Sequence, residues 1–347
     1  MILQNQQSII TELTIKELTD KDQENWQILV NNSQFGCFMQ TWTWANFKEI
    51  EGYKTFRYGL FLNNHLVGGC IYYLYPHPNK ANLLIAPGGP ILPENHPETG
   101  INLILKTAEK LAQTIGGIAF RIEPNWHEKP HYLQGFVRAP ADLLPNETLL
   151  IDLRLDDDQI LAAMKPKGRY NIQLCQRHQL NIEFSNNSQN IPLFYDLFWE
   201  TAQRQNFFAE PYGFFINLCQ TLFTANMAEI GFATWKGEIL TAILVVYCGK
   251  TATYLYGGSS LVHREFMASY GLHWEAMQRA KIRGCQFYDF YGFSSESNHA
   301  YTKFSQFKSK FGGKVRKTIG AHDYFFYDQL ADTLINLFQT LIGDKNE

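Results

Sequence analysis

One succession of elements is written twice along the chain. Such a sequence folds as two related units, or as two α/β units of coincidentally similar order. Residues 22–31 and 40–50 have helical spacing, and 54–62 and 65–75 flank Asn63-Asn64, a hairpin signal. A short apolar strand is expected at 82–86, followed by a backbone bend at 87–90, P-G-G-P. Over 98–115, Ile101, Ile104, Leu105, Ala108, Leu111 and Ala112 fall on one helical face. Gly116-Gly117 end that helix, and 118–123 (I-A-F-R-I-E) reads as a strand. The order then returns, with helical patterns at 189–205 and 211–223 and strands at 227–235 and 238–248 around Lys236-Gly237. A strand at 251–257, a helix at 266–283 ending at Gly284, and a strand at 285–290 complete it. The hairpin turns lie about 173 positions apart and the helix-ending glycines about 168. The match is one of pattern, not of residue identity.

Size agrees with a division in two. The chain has 347 residues, 45% of them apolar, and single cores stop growing beyond roughly 250–300 residues. Residues 124–147, with Pro124, Pro130, Pro140 and Pro145, read as a loop-rich connection, and 148–153 opens the second unit as a strand. The expected domains are 1–147 and 148–323. Leu330, Leu334, Leu337, Phe338 and Leu341 have helical spacing, so a C-terminal helix within 324–347 is expected to pack back on the first domain.

Composition excludes several classes. With 30 basic and 33 acidic residues and a net charge of −3, the chain is neither disordered nor uniformly basic. The longest apolar run, 239–248, is far below the roughly 18 residues needed to span a bilayer. The N-terminal residues carry no secretion-signal pattern, and the six cysteines stand about thirty or more positions apart. They read as free thiols of a cytoplasmic protein.

Familiar motifs fail on physical grounds. H-E-K-P-H at 127–131 would hold zinc only on a helix, and Pro130 would break that turn. No metal site is expected. C-G-K-T at 248–251 lacks the earlier glycine of a phosphate loop, since Leu244 stands there. Neither G-x-G-x-x-G nor G-x-S-x-G occurs.

Two stretches concentrate positive charge. The first, 164–178, carries Lys165, Lys167, Arg169, Arg177 and His178 with no acid, and Pro166 suits the first turn of a helix. A helix beginning there would aim free N–H groups and cations in one direction, which favours an anion. The second, 303–317, carries Lys303, Lys308, Lys310, Lys314, Arg316 and Lys317, again with no acid. Phe304, Phe307 and Phe311 recur three to four apart there, so they are expected to share a core-facing helical side. Two solvated faces are the plain explanation; binding of a polyanion is the other.

Five stretches occur in an order and spacing that resemble the Fem-type (FemABX) transferases of peptidoglycan cross-bridge synthesis. They are F-M-Q-T-W-T-W-A-N-F-K at 38–48, M-K-P-K-G-R-Y-N-I at 164–172 and Y-L-Y-G-G-S-S at 254–260, followed by 272–285 and F-K-S-K-F-G-G at 307–313. The resemblance spans about 22 to 327. It implies an α/β (α+β) fold of two tandem GNAT-like domains with mixed sheets flanked by helices, in the compact form without a coiled-coil hairpin. It further implies transfer of an amino acid from aminoacyl-tRNA, as co-substrate without other cofactor, to an amine on the stem peptide of a UDP-linked or lipid-linked precursor. Peripheral contact with the inner membrane face is compatible with this, and no stable protein partner is inferred.

By the same resemblance, Lys48 is implied to hold precursor phosphate and Tyr256 to line the precursor site. Phe307 and Lys308 are implied to serve the aminoacyl-tRNA end, and Glu123 falls where the family has an acid. Lys165, Lys167 and Arg169 are further substrate-binding candidates. One departure stands out. Where the compact form often has an arginine before proline and an aromatic, this chain reads A-E-P-Y-G-F at 209–214, with Glu210 in the arginine's place.

The implied chemistry is aminolysis of an ester. It needs an aligned amine, an oxyanion stabiliser, for which Lys308 is the candidate, and a proton acceptor, for which Glu123 is. Two other readings remain open on the sequence. An acetyl-CoA-dependent N-acetyltransferase would need spaced glycines after Arg264, which 263–271 lacks. A non-catalytic binder of tRNA or muropeptides would be compatible with Glu210.

Overall fold

The computed structural model describes residues 12–76, 82–296 and 301–327. In chain order the first half comprises β1 (Leu13–Glu17), α1 (Gln23–Asn32), α2 (Trp42–Ile50), β2 (Lys54–Leu62), β3 (His65–Tyr75), β4 (Asn82–Pro87), α3 (Pro97–Ile115), β5 (Gly117–Glu123) and β6 (Val137–Arg138). Next come β7 (Glu147–Asp152), α4 (Asp157–Ala163), α5 (Pro166–Arg177), β8 (Asn181–Ser185), α6 (Ile191–Gln205) and α7 (Tyr212–Thr224). The chain continues through β9 (Ala228–Trp235), β10 (Glu238–Cys248), β11 (Thr251–Ser259), α8 (Ala268–Ile282), β12 (Phe287–Gly292), α9 (Thr302–Lys308), β13 (Lys314–Lys317) and β14 (His322–Phe325).

Local sequence explains the boundaries. Asn63 and Asn64, at φ 51° and 63°, turn the first hairpin, and Lys236 and Gly237, at 49° and 85°, turn the second. Both turns thus take the left-handed pair that matches strand twist. Pro97 opens α3 at a position where no N–H is needed, and Gly116 closes it in the left-handed region. Asp156 and Gln159 cap α4 reciprocally.

The strands form two seven-stranded mixed sheets, ordered β1-β2-β3-β4-β5-β14-β6 and β8-β9-β10-β11-β12-β7-β13. Position for position the two sheets correspond, and each has one parallel pair at the same place, β4 with β5 and β11 with β12. The expected repeat is therefore present in the topology. Each sheet also takes a strand from outside its own succession. β14 pairs with β5 and β6 to complete the first, and β7 lies between β12 and β13 in the second. The helix expected over 324–347 does not begin at 324, because Tyr324 and Phe325 belong to β14. From residue 328 onward that expectation lies outside the described residues.

One apolar interior joins the halves. Trp26, Trp44 and Phe47 of α1 and α2 pack in the same cluster as Phe194, Phe198 and Phe215 of α6 and α7. Phe47 meets Phe214 edge-on with centroids 5.3 Å apart. Inside the first half, Gln40 is fully buried and pinned: its amide donates to the Ile71 and Pro87 carbonyls and accepts from the Ile71 N–H. That fixes the segment entering α2 against β3 and β4. No helix among the described residues is long and apolar enough to cross a membrane.

Candidate active site

The two parallel pairs differ in length, and a cleft opens at the shorter one. β4 and β5 stay in register from Asn82↔Gly117 to Pro87↔Glu123. β11 and β12 are paired only from Thr251↔Phe287 to Thr253↔Asp289. Past that point β11 follows β10, with a bulge at Leu244/Val245, while β12 follows β7. Tyr254, Leu255, Tyr256 and Gly257 on one side and Tyr291 and Gly292 on the other then line a cleft of about 660 Å³. The first half supplies the facing wall through Trp44, Lys48, Tyr53, Tyr73 and Tyr75.

Lys308, the last residue of α9, lies in this cleft and is only 8% exposed. Its Nζ donates to the Gly292 carbonyl at 2.5 Å and stands 5.7 Å from the centroid of the Tyr254 ring. Burial pulls its pKa from 10.5 down to about 8, against the opposing charge of Asp289. Asp289 is itself buried. It accepts from the Tyr291 N–H at 2.7 Å and from the Arg316 guanidinium at 3.2 Å. The first of these bonds holds Tyr291 at φ 55°, a costly conformation for an aromatic residue, with its ring on the cleft. Asp289 thus shapes the cleft wall and stabilises the buried cation. Neither Asp289 nor Tyr291 was found by sequence reasoning. The pattern of an acid two residues before an aromatic at a strand end, Y-D-F-Y-G at 288–292, was the available signal.

Lys48 and Tyr256 also line the cleft. Lys48 Nζ lies 4.0 Å from the Tyr53 ring centroid, and burial lowers its pKa while Glu51 and Glu210 oppose that shift. Tyr256 packs edge-on against Phe215 at 5.0 Å, and burial raises its hydroxyl. Glu210 lines the same cleft; burial raises its pKa, partly offset by Lys48. A diphosphate placed at Lys48 would therefore also face the charges of Glu210 and Glu51.

The remaining expected residues lie elsewhere. Phe307 faces away from the cleft. Its ring meets Tyr270 at 5.0 Å and Phe311 at 5.4 Å, and it borders a separate pocket of about 500 Å³ beside Arg264 and Tyr270. Phe304 turns the other way, into the cleft, where it meets Phe207 at 5.8 Å. The three phenylalanines thus do not share a core face: Phe307 and Phe311 pack together in the interior, and Phe304, one turn earlier on α9, lies on the cleft side.

Glu123 is not among the cleft-lining residues. Its two carboxylate oxygens accept the N–H groups of Leu143 and Leu144 at 2.9 and 2.7 Å. Those leucines do line the cleft, so Glu123 holds a wall in place from behind. Burial raises its pKa to about 7 against those two bonds. Its neighbour Arg121 pairs with Asp323 instead.

Lys165, Lys167 and Arg169 do not reach the cleft either. The Arg169 guanidinium caps the end of α4 by donating to the Met164 carbonyl. Lys165 donates through its backbone N–H to the Lys310 carbonyl at 3.1 Å and through Nζ to Ser309 Oγ at 3.3 Å. The two basic stretches therefore meet on one surface, within two residues of Lys308. Arg316 and Lys317 are spent on Asp289 and Glu147. Residues 127–131 lie in irregular loop, not on a helix, and no cluster of potential metal ligands occurs among the described residues.

Comparison with known proteins gives the family and bears out the fold. The model of the FemAB family matches residues 133–238 and 235–338. A lipid II:glycine glycyltransferase of Staphylococcus epidermidis is 19% identical over 83% of this chain and 88% of its own length. A Staphylococcus aureus protein of the same description is 18% identical over 85% and 89%. Among solved structures, a crystal structure of FemX superposes with a TM-score of 0.84 at 18% identity, covering 93% of this chain and all of that one. A tandem GNAT protein from the clavulanic acid biosynthesis pathway gives 0.51 at 12% identity, covering 90% and 98%.

Proposed function

The chain belongs to the FemAB family, and from that membership and the cleft geometry we propose that it transfers an amino acid from aminoacyl-tRNA to an amine of a peptidoglycan precursor stem peptide. The observation that carries this is Lys308, a buried ammonium at the floor of a cleft between two halves, beside the meeting point of two basic stretches.

An ester aminolysis passes through a tetrahedral intermediate. The amine nitrogen bonds to the acyl carbon, the carbonyl oxygen becomes an oxyanion, and the oxyanion then collapses as the C–O bond to ribose breaks, the ribose oxygen taking up the proton that the amine sheds. Lys308 Nζ has three N–H donors, and its bond to Gly292 uses one. The others can serve the oxyanion or the departing oxygen in a site lined by aromatic side chains, where such a charge acts strongly. The Gly292 bond and Asp289 fix where that charge sits, so little reorganisation is needed during the reaction. Lys165, Lys167 and Lys310 would contact phosphates of the RNA, leaving its 3′ end to enter at Lys308. The acceptor would enter from the side of Lys48 and Tyr256.

The test is incubation with total charged tRNA and a panel of muropeptide precursors, followed by mass spectrometry of the acceptor. A gain of one aminoacyl residue, dependent on charged tRNA, is expected. Lack of such a product across the panel, together with tRNA affinity that does not change with salt, would overturn the assignment.

A further inference from the structure

The cleft holds an unclosed pair of opposite charges at the end supplied by α2 and the segment before α7. Among its lining residues, Lys48, Glu210 and Lys308 carry charge, and Lys308 is bonded to the Gly292 carbonyl with the charge of Asp289 nearby. Lys48 and Glu210 feel each other's charge yet form no salt bridge, and Glu210 makes no hydrogen bond or ion pair with any described residue. The Lys48 side chain and the Glu210 backbone are both constrained. The Lys48 ammonium rests on the Tyr53 ring. Glu210 directly precedes Pro211, the residue that caps α7, and a residue before proline is restricted to extended backbone. Two half-buried opposite charges kept apart in a cavity are complementary to a ligand group that carries both signs itself.

We propose that this end of the cleft recognises a zwitterionic amino-acid centre, with the ligand carboxylate on Lys48 and its ammonium on Glu210. This rests on the aminoacyl-transfer reading for the identity of the ligand, a stem peptide. It narrows the acceptor to one whose branching residue is a diamino diacid, with amine and carboxylate on the same terminal carbon, in place of a lysine with an amine alone. The same arrangement disfavours a diphosphate here, since Glu51 adds a second negative charge near Lys48. The aromatic walls, Tyr53, Tyr75 and Phe214 among them, lower the local dielectric and strengthen both contacts.

The test measures binding by calorimetry, with no tRNA present, of two synthetic pentapeptides differing only at the third residue, meso-diaminopimelate or lysine. The native protein is expected to bind the first about tenfold or more tightly, the value of one charge-assisted contact. Lys48→Met should lower affinity for the diaminopimelate peptide about tenfold more than for the lysine peptide, whereas Glu210→Gln should weaken both. Melting curves confirm that each variant folds. Equal binding of the two peptides, binding of neither, or an equal loss for both in Lys48→Met overturns the proposal. The same pair is then offered with charged tRNA. Selective binding without transfer leaves this recognition standing and removes the aminoacyl-transfer reading. Transfer to both peptides at equal rates removes the recognition and leaves the reaction.

Discussion

Replacing Lys308 with methionine separates catalysis from stability. Keeping this amine charged inside the fold lowers its pKa from 10.5 to about 8, which corresponds to ~3 kcal/mol of destabilisation at neutral pH. Methionine removes that cost and fills much the same space. Against it stands the loss of the hydrogen bond to Gly292, a charge-assisted contact worth about 1.5–3 kcal/mol. Asp289 keeps Arg316 at 3.2 Å and the Tyr291 N–H at 2.7 Å, so its own charge stays compensated. The terms nearly cancel, and Lys308→Met should unfold within about 1 kcal/mol of the native protein. Its turnover should fall by roughly 10²–10³, the effect of losing one donor to a developing oxyanion.

The pH dependence gives a second, independent readout. A lysine with a lowered folded pKa binds fewer protons in the folded than in the unfolded state between the two values. Stability of the native protein should therefore rise from pH 8 to 10.5 relative to Lys308→Met, with the full cost present below 8. In single-turnover assays the rate per bound charged tRNA should lose one unit of logarithmic slope near pH 8 as the cation is lost. Lys308→Arg, which stays charged, should not show that break. Normal turnover by Lys308→Met with a native melting curve would refute the role, and so would a break at pH 8 that persists in Lys308→Arg.

Glu123→Gln leaves one of the Leu143 and Leu144 amides without an acceptor and should cost about 1–3 kcal/mol in urea denaturation. Because the Glu123 pKa is raised from 4.5 to about 7, its contribution is present below 4.5 and lost as pH rises through 7, so the native protein should lose stability relative to this variant over that interval. Arg121→Met strands Asp323, which is 1% exposed and held by two bonds of 2.7 and 2.8 Å, and should cost about 3–5 kcal/mol, most of it recovered in Arg121→Met/Asp323→Leu. Gly258→Ala would place a Cβ 2.4 Å from the Leu197 carbonyl carbon, so β11 must part from α6 and the melting temperature should fall markedly.

Periodicity made the repeated order legible because the central strands and long helices are apolar on a regular side. The edge strands escaped. β8 reads N-I-E-F-S, an alternation only five residues long, and β13 reads K-V-R-K, with a single apolar residue. Periodicity also misplaced α9, since a continuous helix through Phe304, Phe307 and Phe311 would put all three on one side. Phe304 instead stands on the cleft side of α9 with Lys308, four residues on, while Phe307 and Phe311 pack against each other in the interior. Lys308 was reached through the F-K pair of the family resemblance and the basic stretch around it, not through its spacing. Glu123 shows the opposite limit. An acid at a strand end reads the same whether it faces substrate or a loop, and only the fold brings Leu143 and Leu144 onto it.

A duplicated scaffold could carry two sites, and the pairing of strands explains why the described cleft opens at one. In the first half, β4 and β5 remain hydrogen-bonded as far as Pro87↔Glu123, so the gap available between β11 and β12 is closed there. The carboxylate at the end of β5 is turned onto backbone amides, whereas β12 ends in Asp289 and the left-handed Tyr291, which face Lys308 and the cleft. The first half instead contributes a wall: β3 and α2 bring Tyr73, Tyr75 and Lys48 across to the splayed strands of the second. Neither half encloses the cleft alone. Covalent continuity and the shared apolar interior of α1, α2, α6 and α7 fix the two against each other. Among the described residues the two corresponding sheets thus form one asymmetric cleft, with Lys48 on one side and the buried Lys308 on the other.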